Sequence, residues 1–273
     1  MTFDEVLASG WVQLDSIAGR FDVPIEGRSR EQRAVLALVL HASHVYHAVL
    51  RDCAAGDIAT ALLSLRALSE AGVLVHWIEL SPVDHVEMWE AEADRHRLAA
   101  EKAFDAMDRK RGWDRFRAPV SDARSAERAE RVRQVREAAR LRGERLDRAA
   151  CLPTVEHMAG TTIEAMRQIY EIVYRITSPW AHASEQVLSA YVPEVRSDGT
   201  HIVPAWAWSV RDVMALTVPL FAILLGSGSR LCGLGLDGEC RAIQDSVADY
   251  QPEALGAVPT AMGSPEADLG SAT

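Results

Sequence analysis

The mostly apolar, helix-forming segment 170–191 contains three polar residues at spacings of three and four, namely Arg175, Ser178 and His182. Ionisable groups on a helix that faces a core cost free energy unless partners compensate them. A permanent cation beside an imidazole suits phosphate or carboxylate chemistry, because the guanidinium stays charged while the imidazole titrates near neutral pH. These three residues are therefore the candidate catalytic set.

Pro179 leaves two geometries open for this set. In an unbroken helix, Arg175, Ser178 and His182 lie at about 0°, 300° and 340° around the axis, on one narrow stripe. Alternatively, Ser178 caps a new helix with Pro179 as its first residue, and the amide donors there form an anion pocket with Arg175.

A purely structural role is the competing interpretation. Arg175 would then pair with a buried acid such as Glu70, and His182 would be a hydrogen-bonded core histidine. Arg66 and Glu70 are four residues apart in the apolar segment LLSLRALSEAGVL. A carboxylate midway along such a helix needs a cationic partner to remain ionised. We predict that Glu70 lies within reach of Arg66 or Arg175.

Capping and breaking residues predict helices almost throughout, and hence an all-α fold. SREQ at 29–32 and TTIE at 161–164 are capping-box patterns, and the second begins the helix that carries the candidate set. Asp57 and the pair Ser81–Pro82 begin two further helices. The other predicted helices cover 29–53, 57–80, 81–112, 122–150, 205–225 and 237–250.

Three segments interrupt this pattern. Asp198-Gly199 between β-prone arms predicts a minor β-hairpin near 192–203. The Gly-rich segment 226–238 follows a helix and is predicted to be a loop. Residues 251–273 are small, polar and rich in Pro and Gly, which predicts a disordered tail. We therefore predict one helical-bundle domain, residues 1–250, followed by that tail.

Composition indicates a soluble, cytoplasmic protein. The chain is 48% apolar and 25% charged, and its net charge of −10 argues against a surface that binds nucleic acid throughout. The longest apolar run, 213–226, is shorter than the ~20 residues that span a bilayer, so we predict a buried core helix and no membrane contact. The N-terminus lacks the basic region of a secretory signal. The cysteines form no C-x-x-C pair, which predicts buried or free thiols in a reducing compartment.

Basic charge is concentrated between residues 109 and 148, where 14 basic and 7 acidic residues give a local charge of +7. The helix at 124–148 could follow a phosphate backbone. Its acids are spaced to form salt bridges along the helix, so we predict a solvated face instead.

His41, His44 and His47 span about 120° of one helix surface. No Asp or Glu nearby in sequence completes a metal site. Glu70 and His76 on the next helix could contribute to a bundle metal site, but the E-x-x-H pattern of di-iron bundles is missing there. We predict a half-exposed histidine face, with no metal and no cofactor, and keep a helical-bundle metalloenzyme as the weakest alternative.

The segments LSLRALSEAGVLVHW and YRITSPWAH resemble the bacterial uncharacterised domain family 5677, a group of helical proteins of unknown function. The resemblance covers residues 35–184 and implies a helical fold without supplying an activity. It rests on Arg66, Glu70, Tyr174, Arg175, Ser178 and His182. Of these, Arg66, Glu70 and Tyr174 form the candidate binding set.

The segment from Arg175 to His182 is also similar to HEPN domains, helical bundles found as toxins and defence ribonucleases. Their signature is Arg, four to six residues, then His; here six residues intervene, and Ile176 stands where that family usually has a polar residue. The resemblance implies a dimer and metal-independent RNA cleavage. His182 would transfer protons and Arg175 would stabilise charge developing on the phosphate.

The sequence thus predicts phosphate or RNA handling around Arg175 and His182, in a homodimer whose partner is RNA or a phosphate or carboxylate ligand. The alternative from another class is a non-catalytic helical binding or regulatory module in which these residues are structural.

Overall fold

The computed structural model describes residues 2–111, 122–146, 149–181, 191–196, 199–204 and 208–249. Within these ranges the chain forms nine helices and one antiparallel two-stranded sheet, so the all-α fold with a minor hairpin is confirmed. The helices are α1 Phe3–Gly19, α2 Arg30–Ala54, α3 Ile58–Leu80, α4 Pro82–Arg111, α5 Asp122–Leu141, α6 Val155–Thr161, α7 Glu164–Ala181, α8 Val210–Cys232 and α9 Asp237–Ala248. The strands are β1 Tyr191–Arg196 and β2 Gly199–Pro204. The predicted disordered tail, 251–273, lies outside the described residues.

Capping residues begin the first three helices. The Ser29 side chain accepts a hydrogen bond from the backbone N–H of Gln32, and the Gln32 side chain accepts one from the backbone N–H of Ser29. This predicted capping box is confirmed, as is Asp57 at the N-terminus of α3. The sequence analysis missed α1, which begins with a capping box between Thr2 and Glu5.

Two predicted helix boundaries are wrong. Thr161 does not begin α7; it is the last residue of α6, its hydroxyl donates to the carbonyl of Met158 at 2.7 Å, and α7 begins at Glu164. The predicted helix 122–150 ends at Leu141, where the chain turns through Gly143 at a φ of 84°. Glycine tolerates this left-handed conformation, which other residues rarely adopt.

The predicted loop 226–238 is wrong over its first half, and the predicted helix 205–225 is shifted. Helix α8 begins at Val210 and continues to Cys232, and the chain leaves it at Gly233 with a φ of 65°. Gly228 is buried against α2, where an added Cβ would lie 2.7 Å from Cγ2 of Val39. Gly228 therefore allows α2 and α8 to approach each other closely. Glycine suggested a loop in the sequence, but its role here is in helix packing.

Helix α3 lies at the centre of the bundle and packs against α2, α7 and α8. A Cβ at Gly72 would lie 3.2 Å from Cδ1 of Leu220 on α8 and 3.2 Å from Cε of Met166 on α7. This small residue lets both helices approach α3. As a result, α7, which carries Arg175 and Ser178, is held directly against the central helix.

The apolar run 213–226 lies within α8, and Leu220, Phe221 and Leu224 in it are fully buried, as predicted for a core helix. Tyr46 of α2 stacks on Phe221 with ring centroids 4.1 Å apart. Among the helices that the structure describes, α2, α3 and α8 are each long and apolar enough to cross a membrane by length and composition alone.

A polar network joins α3 to α8. Nδ1 of His76 lies 2.9 Å from Oγ of Ser227 and 3.1 Å from Oε2 of Glu79. Arg230 donates to both carboxylate oxygens of Glu79, at 2.5 and 2.9 Å. Burial alone would raise the pKa of Glu79, but hydrogen bonds from His76, Arg230 and Ser227 outweigh it and lower the pKa to about 2. The ionised carboxylate of Glu79 thus links α3 to α8.

Gly228→Ala should lower the free energy of unfolding by about 1–3 kcal/mol, because the new methyl group overpacks the contact with Val39. The matched control is Gly238→Ala in α9, where an added Cβ meets nothing within 4 Å. Urea denaturation of both variants checks this. Equal stability of the two variants would show that α2 and α8 are not in close contact at Gly228.

Glu79→Gln should make the free energy of unfolding depend less on pH under acidic conditions. Because the folded-state pKa of Glu79 is lowered, its contribution is present above its ordinary pKa of 4.5 and is lost as the pH falls towards 2. Between those limits the wild type should lose about 2–3 kcal/mol more than the variant. Urea denaturation at stepped pH measures this, with Glu239→Gln in the exposed pair with Arg20 as control. Parallel profiles for wild type and Glu79→Gln would contradict it.

Candidate functional site

Helix α7 positions Arg175 and Ser178 of the candidate catalytic set, and it runs unbroken from Glu164 to Ala181. Ser178 is therefore inside the helix and does not cap a new one, although Pro179 cannot donate to the carbonyl of Arg175. Arg175 and Ser178 fall about 60° apart around the axis, as in the unbroken geometry. His182 lies outside the described residues.

Arg175 is exposed on α7, and Ser178 beside it is half-buried. The structure shows no ion pair or hydrogen bond from the Arg175 side chain to another described residue. The structural interpretation in which Arg175 pairs with Glu70 is wrong, because Glu70 pairs with Arg66. On the same helix, Arg167 forms a 2.6 Å pair with Glu164. The charge of Arg175 is thus not neutralised by its described neighbours.

The three residues of the candidate binding set lie together where α3 meets α7. Nε of Arg66 donates to Oε1 of Glu70 at 3.0 Å, which confirms the predicted partner of Glu70. Cζ of Arg66 lies 4.9 Å from the ring centroid of Tyr174, a cation–π contact between the helices. The Arg66 side chain is 19% exposed and that of Glu70 is 40% exposed. The pair therefore lies at the rim of the core.

Tyr170 belongs to this cluster, and the sequence analysis missed it. Its ring centroid lies 5.6 Å from that of Tyr174, at an interplanar angle of 35°. Burial raises the pKa of Tyr170 to about 12, with a further contribution from the negative charge of Glu70. The phenol is therefore neutral at physiological pH. The spacing of four residues between the two tyrosines was the available signal, since it places them on one face of α7.

Two arginines of α5, Arg128 and Arg131, form ion pairs with acids of α4. Asp94, whose side chain is 6% exposed, lies 2.8 Å from Nη2 of Arg131 and 3.8 Å from Nε of Arg128. Arg128 also donates to Glu101 at 2.6 Å. These ion pairs join two helices, which the sequence did not predict. The predicted bridges along the helix occur at Arg133, which lies 2.6 Å from Glu130 and 3.3 Å from Glu137.

The histidine face of α2 is partly explained by α1. His41 and His44 are exposed, and Nε2 of His47 lies 2.7 Å from Oδ1 of Asp15. The sequence analysis placed no acid near this face, because Asp15 comes from another helix. Over the described ranges, no group of three or more His, Cys, Asp or Glu side chains could hold a metal ion.

The Ser227, His76 and Glu79 side chains resemble a nucleophile, base and orienting acid, but their geometry does not fit that chemistry. Both Ser227 and Glu79 approach the same ring nitrogen of His76. A triad requires the base to contact its two partners through different nitrogens. Ser227 is also fully buried. This network is therefore a structural connection.

The four cysteines are buried and form no disulfide, as predicted. Burial raises the pKa of Cys53, Cys151 and Cys240 to about 11. Reactive thiols instead have lowered pKa values and are accessible. These side chains therefore have structural roles.

The chain belongs to a family of unknown function, DUF5677, whose sequence pattern matches residues 32–200. The matched range begins in α2 and extends into the hairpin, so it includes both candidate sets. Helix α8, which packs against α3 and α7, lies beyond it. No curated protein and no solved structure matches the chain.

Glu70→Gln should lower the free energy of unfolding by about 1 kcal/mol, because it removes a charged partner from Arg66 at the edge of the core. The 40% exposure of Glu70 keeps this loss near the lower end for a charged hydrogen bond. Urea denaturation measures it. Glu164→Gln, in the exposed pair with Arg167, serves as control and should change stability by less. An unchanged midpoint for Glu70→Gln would show that this pair does not contribute.

Proposed function

We propose that this protein handles phosphate groups of RNA on the exposed face of α7, as a HEPN-like ribonuclease that needs no metal ion. The supporting observation is Arg175, an exposed cation with no ion pair to the described part of the chain. In the same structure, Arg128 and Arg131 of α5 and Arg66 of α3 are held by carboxylates. A guanidinium left available in this way can bind a phosphate through charge-assisted hydrogen bonds.

Each of the three side chains has its own proposed role, which follows from its chemistry. Arg175 binds the phosphate and stabilises the charge that develops on it during attack by the neighbouring 2′-hydroxyl. His182, four residues after Ser178 in the sequence, accepts the proton of the 2′-hydroxyl and returns a proton to the 5′-oxygen, which leaves as its bond to phosphorus breaks; an imidazole can do both near neutral pH. Ser178, which stands between Arg175 and His182 in the sequence, donates a hydrogen bond to the same phosphate. A homodimer would bring two such helices to one substrate.

Arg175→Ala and His182→Ala should each lower RNA cleavage by at least ~100-fold while leaving the melting temperature nearly unchanged. The matched control is Arg167→Ala, which removes an exposed arginine two turns earlier on the same helix. Cleavage of a fluorescent single-stranded RNA in the presence of EDTA, over a range of pH, provides the measurement. Ser178→Ala should have a smaller effect.

The competing function is a non-catalytic binding or regulatory module. The observation that favours it is the contact between Arg66 and Tyr174, which uses two residues of the candidate binding set in packing α3 against α7. In that case the wild type shows no RNA cleavage above the Arg175→Ala background. A large drop in melting temperature on Arg175→Ala would point the same way, since it would reveal a structural role.

A further inference from the structure

Arg66 has a hydrogen-bond donor that the described residues do not satisfy. Its Nε is occupied by Glu70, and its backbone carbonyl accepts from the Ser69 hydroxyl. Its Nη1 is buried, yet it has no acceptor among the described residues. A guanidinium carries five N–H donors in a fixed plane, so Nη1 cannot be redirected without moving the bond to Glu70.

A buried donor on a charged group costs free energy when it lacks an acceptor. In a folded protein such a group generally has a partner, which can be a water, an ion or a ligand. Nε of Arg131 and Nε of Arg136 are also buried without an acceptor among the described residues, but no described tyrosine ring stacks on either guanidinium. By contrast with Arg66, Arg230 donates from both Nε and Nη2 to the carboxylate of Glu79. The two N–H groups on Nη1 of Arg66 therefore remain available to an acceptor.

The residues around Nη1 of Arg66 disfavour the binding of a simple anion. Glu70 neutralises the charge of Arg66, so the pair attracts a free phosphate only weakly. The Tyr174 ring lies against the guanidinium and is 40% exposed, with Tyr170 beside it. A neutral, planar group that offers an acceptor at its edge and an aromatic face to the tyrosines fits this chemistry.

We propose that Arg66, Tyr170 and Tyr174 form a nucleobase site that prefers keto bases, guanine and uracil, over amino bases, adenine and cytosine. A keto oxygen at the base edge accepts from Nη1, whereas the corresponding amino group of adenine or cytosine is a donor and opposes it. Tyr174, as an exposed side chain, turns away from the guanidinium and stacks on the base.

This site rests on the proposed function, because it names the base next to the phosphate that Arg175 binds. Tyr174 and Arg175 are consecutive residues, so a base at the first and a phosphate at the second can belong to one nucleotide. The substrate class that follows is single-stranded RNA with a guanine or uracil at that position, since stacking on a tyrosine requires an unstacked base.

Isothermal titration with guanosine, uridine, adenosine and cytidine tests the base site without any phosphate. The wild type should bind the two keto nucleosides about tenfold more tightly than the two amino nucleosides, the value of one hydrogen bond to a charged donor. Arg66→Lys keeps a cation beside Glu70 but lacks Nη1, and it should abolish the preference. Arg30→Lys, in the separate pair with Glu90, is the matched control and should retain it.

Tyr174→Ala should weaken binding of all four nucleosides, whereas Tyr174→Phe should bind as the wild type does. Equal affinity of the wild type for the four nucleosides would overturn the inference, and so would an unchanged preference in Arg66→Lys. Neither outcome bears on the phosphate site, because the nucleosides do not reach Arg175. Conversely, RNA cleavage that survives Arg175→Ala would overturn the proposed ribonuclease while leaving the nucleoside preference intact.

Discussion

The absence of a side chain at Gly72 sets the distance between α3 and the helices that pack on it. Met166 of α7 and Leu220 of α8 each place an atom 3.2 Å from where a Cβ would lie, closer than an ordinary contact. Six residues earlier on α3, about 9 Å along its axis, Arg66 meets Tyr174 of α7. The two contacts progress in opposite directions along the helices, so α3 and α7 are antiparallel. The close packing at Gly72 therefore determines which residues of α7 meet Arg66.

The distribution of partners separates structural arginines from the candidate site. Asp94 is almost completely buried and pairs with Arg128 and Arg131, so ion pairs join α5 to α4. Glu79 does the same for Arg230 at the junction of α3 and α8. Buried carboxylates require such compensation. Arg175 faces no such acid in the described chain, a property it shares with the exposed Arg140, Arg145 and Arg241. Its place beside Tyr174 and Ser178 on α7 distinguishes it from those three as the candidate for an external anion.

The tyrosines of α7 connect packing with the proposed chemistry. Tyr170 is buried and neutral, and it supports Tyr174, which reaches the surface over the Arg66 guanidinium. Arg175 follows immediately and points to another side of the helix. One turn of α7 thus presents an aromatic ring and an exposed cation, and α3 supplies the Arg66 guanidinium beside the ring. Those groups complement the base and the phosphate of a nucleotide respectively.

Local signals in the sequence determined the helices with strong caps and the hairpin. Ser29 and Asp57 each satisfy backbone donors within three residues, so their effect does not depend on the rest of the fold. The spacing of Arg66 and Glu70 likewise determined their pairing, because four residues make one helical turn. The apolar run in α8 also identified a buried helix from composition alone.

Only the tertiary structure decided the remaining features, because they depend on contacts between distant segments. The local sequence predicts a loop at Gly228. The residue instead lies inside α8, where the absence of a side chain leaves room for α2. The acid beside His47 comes from α1, and the ring over Arg66 comes from α7. Whether Arg175 is paired depends on which carboxylates the fold brings near it. Sequence spacing fixes neighbours along one helix, whereas the packing of helices fixes the partners across them.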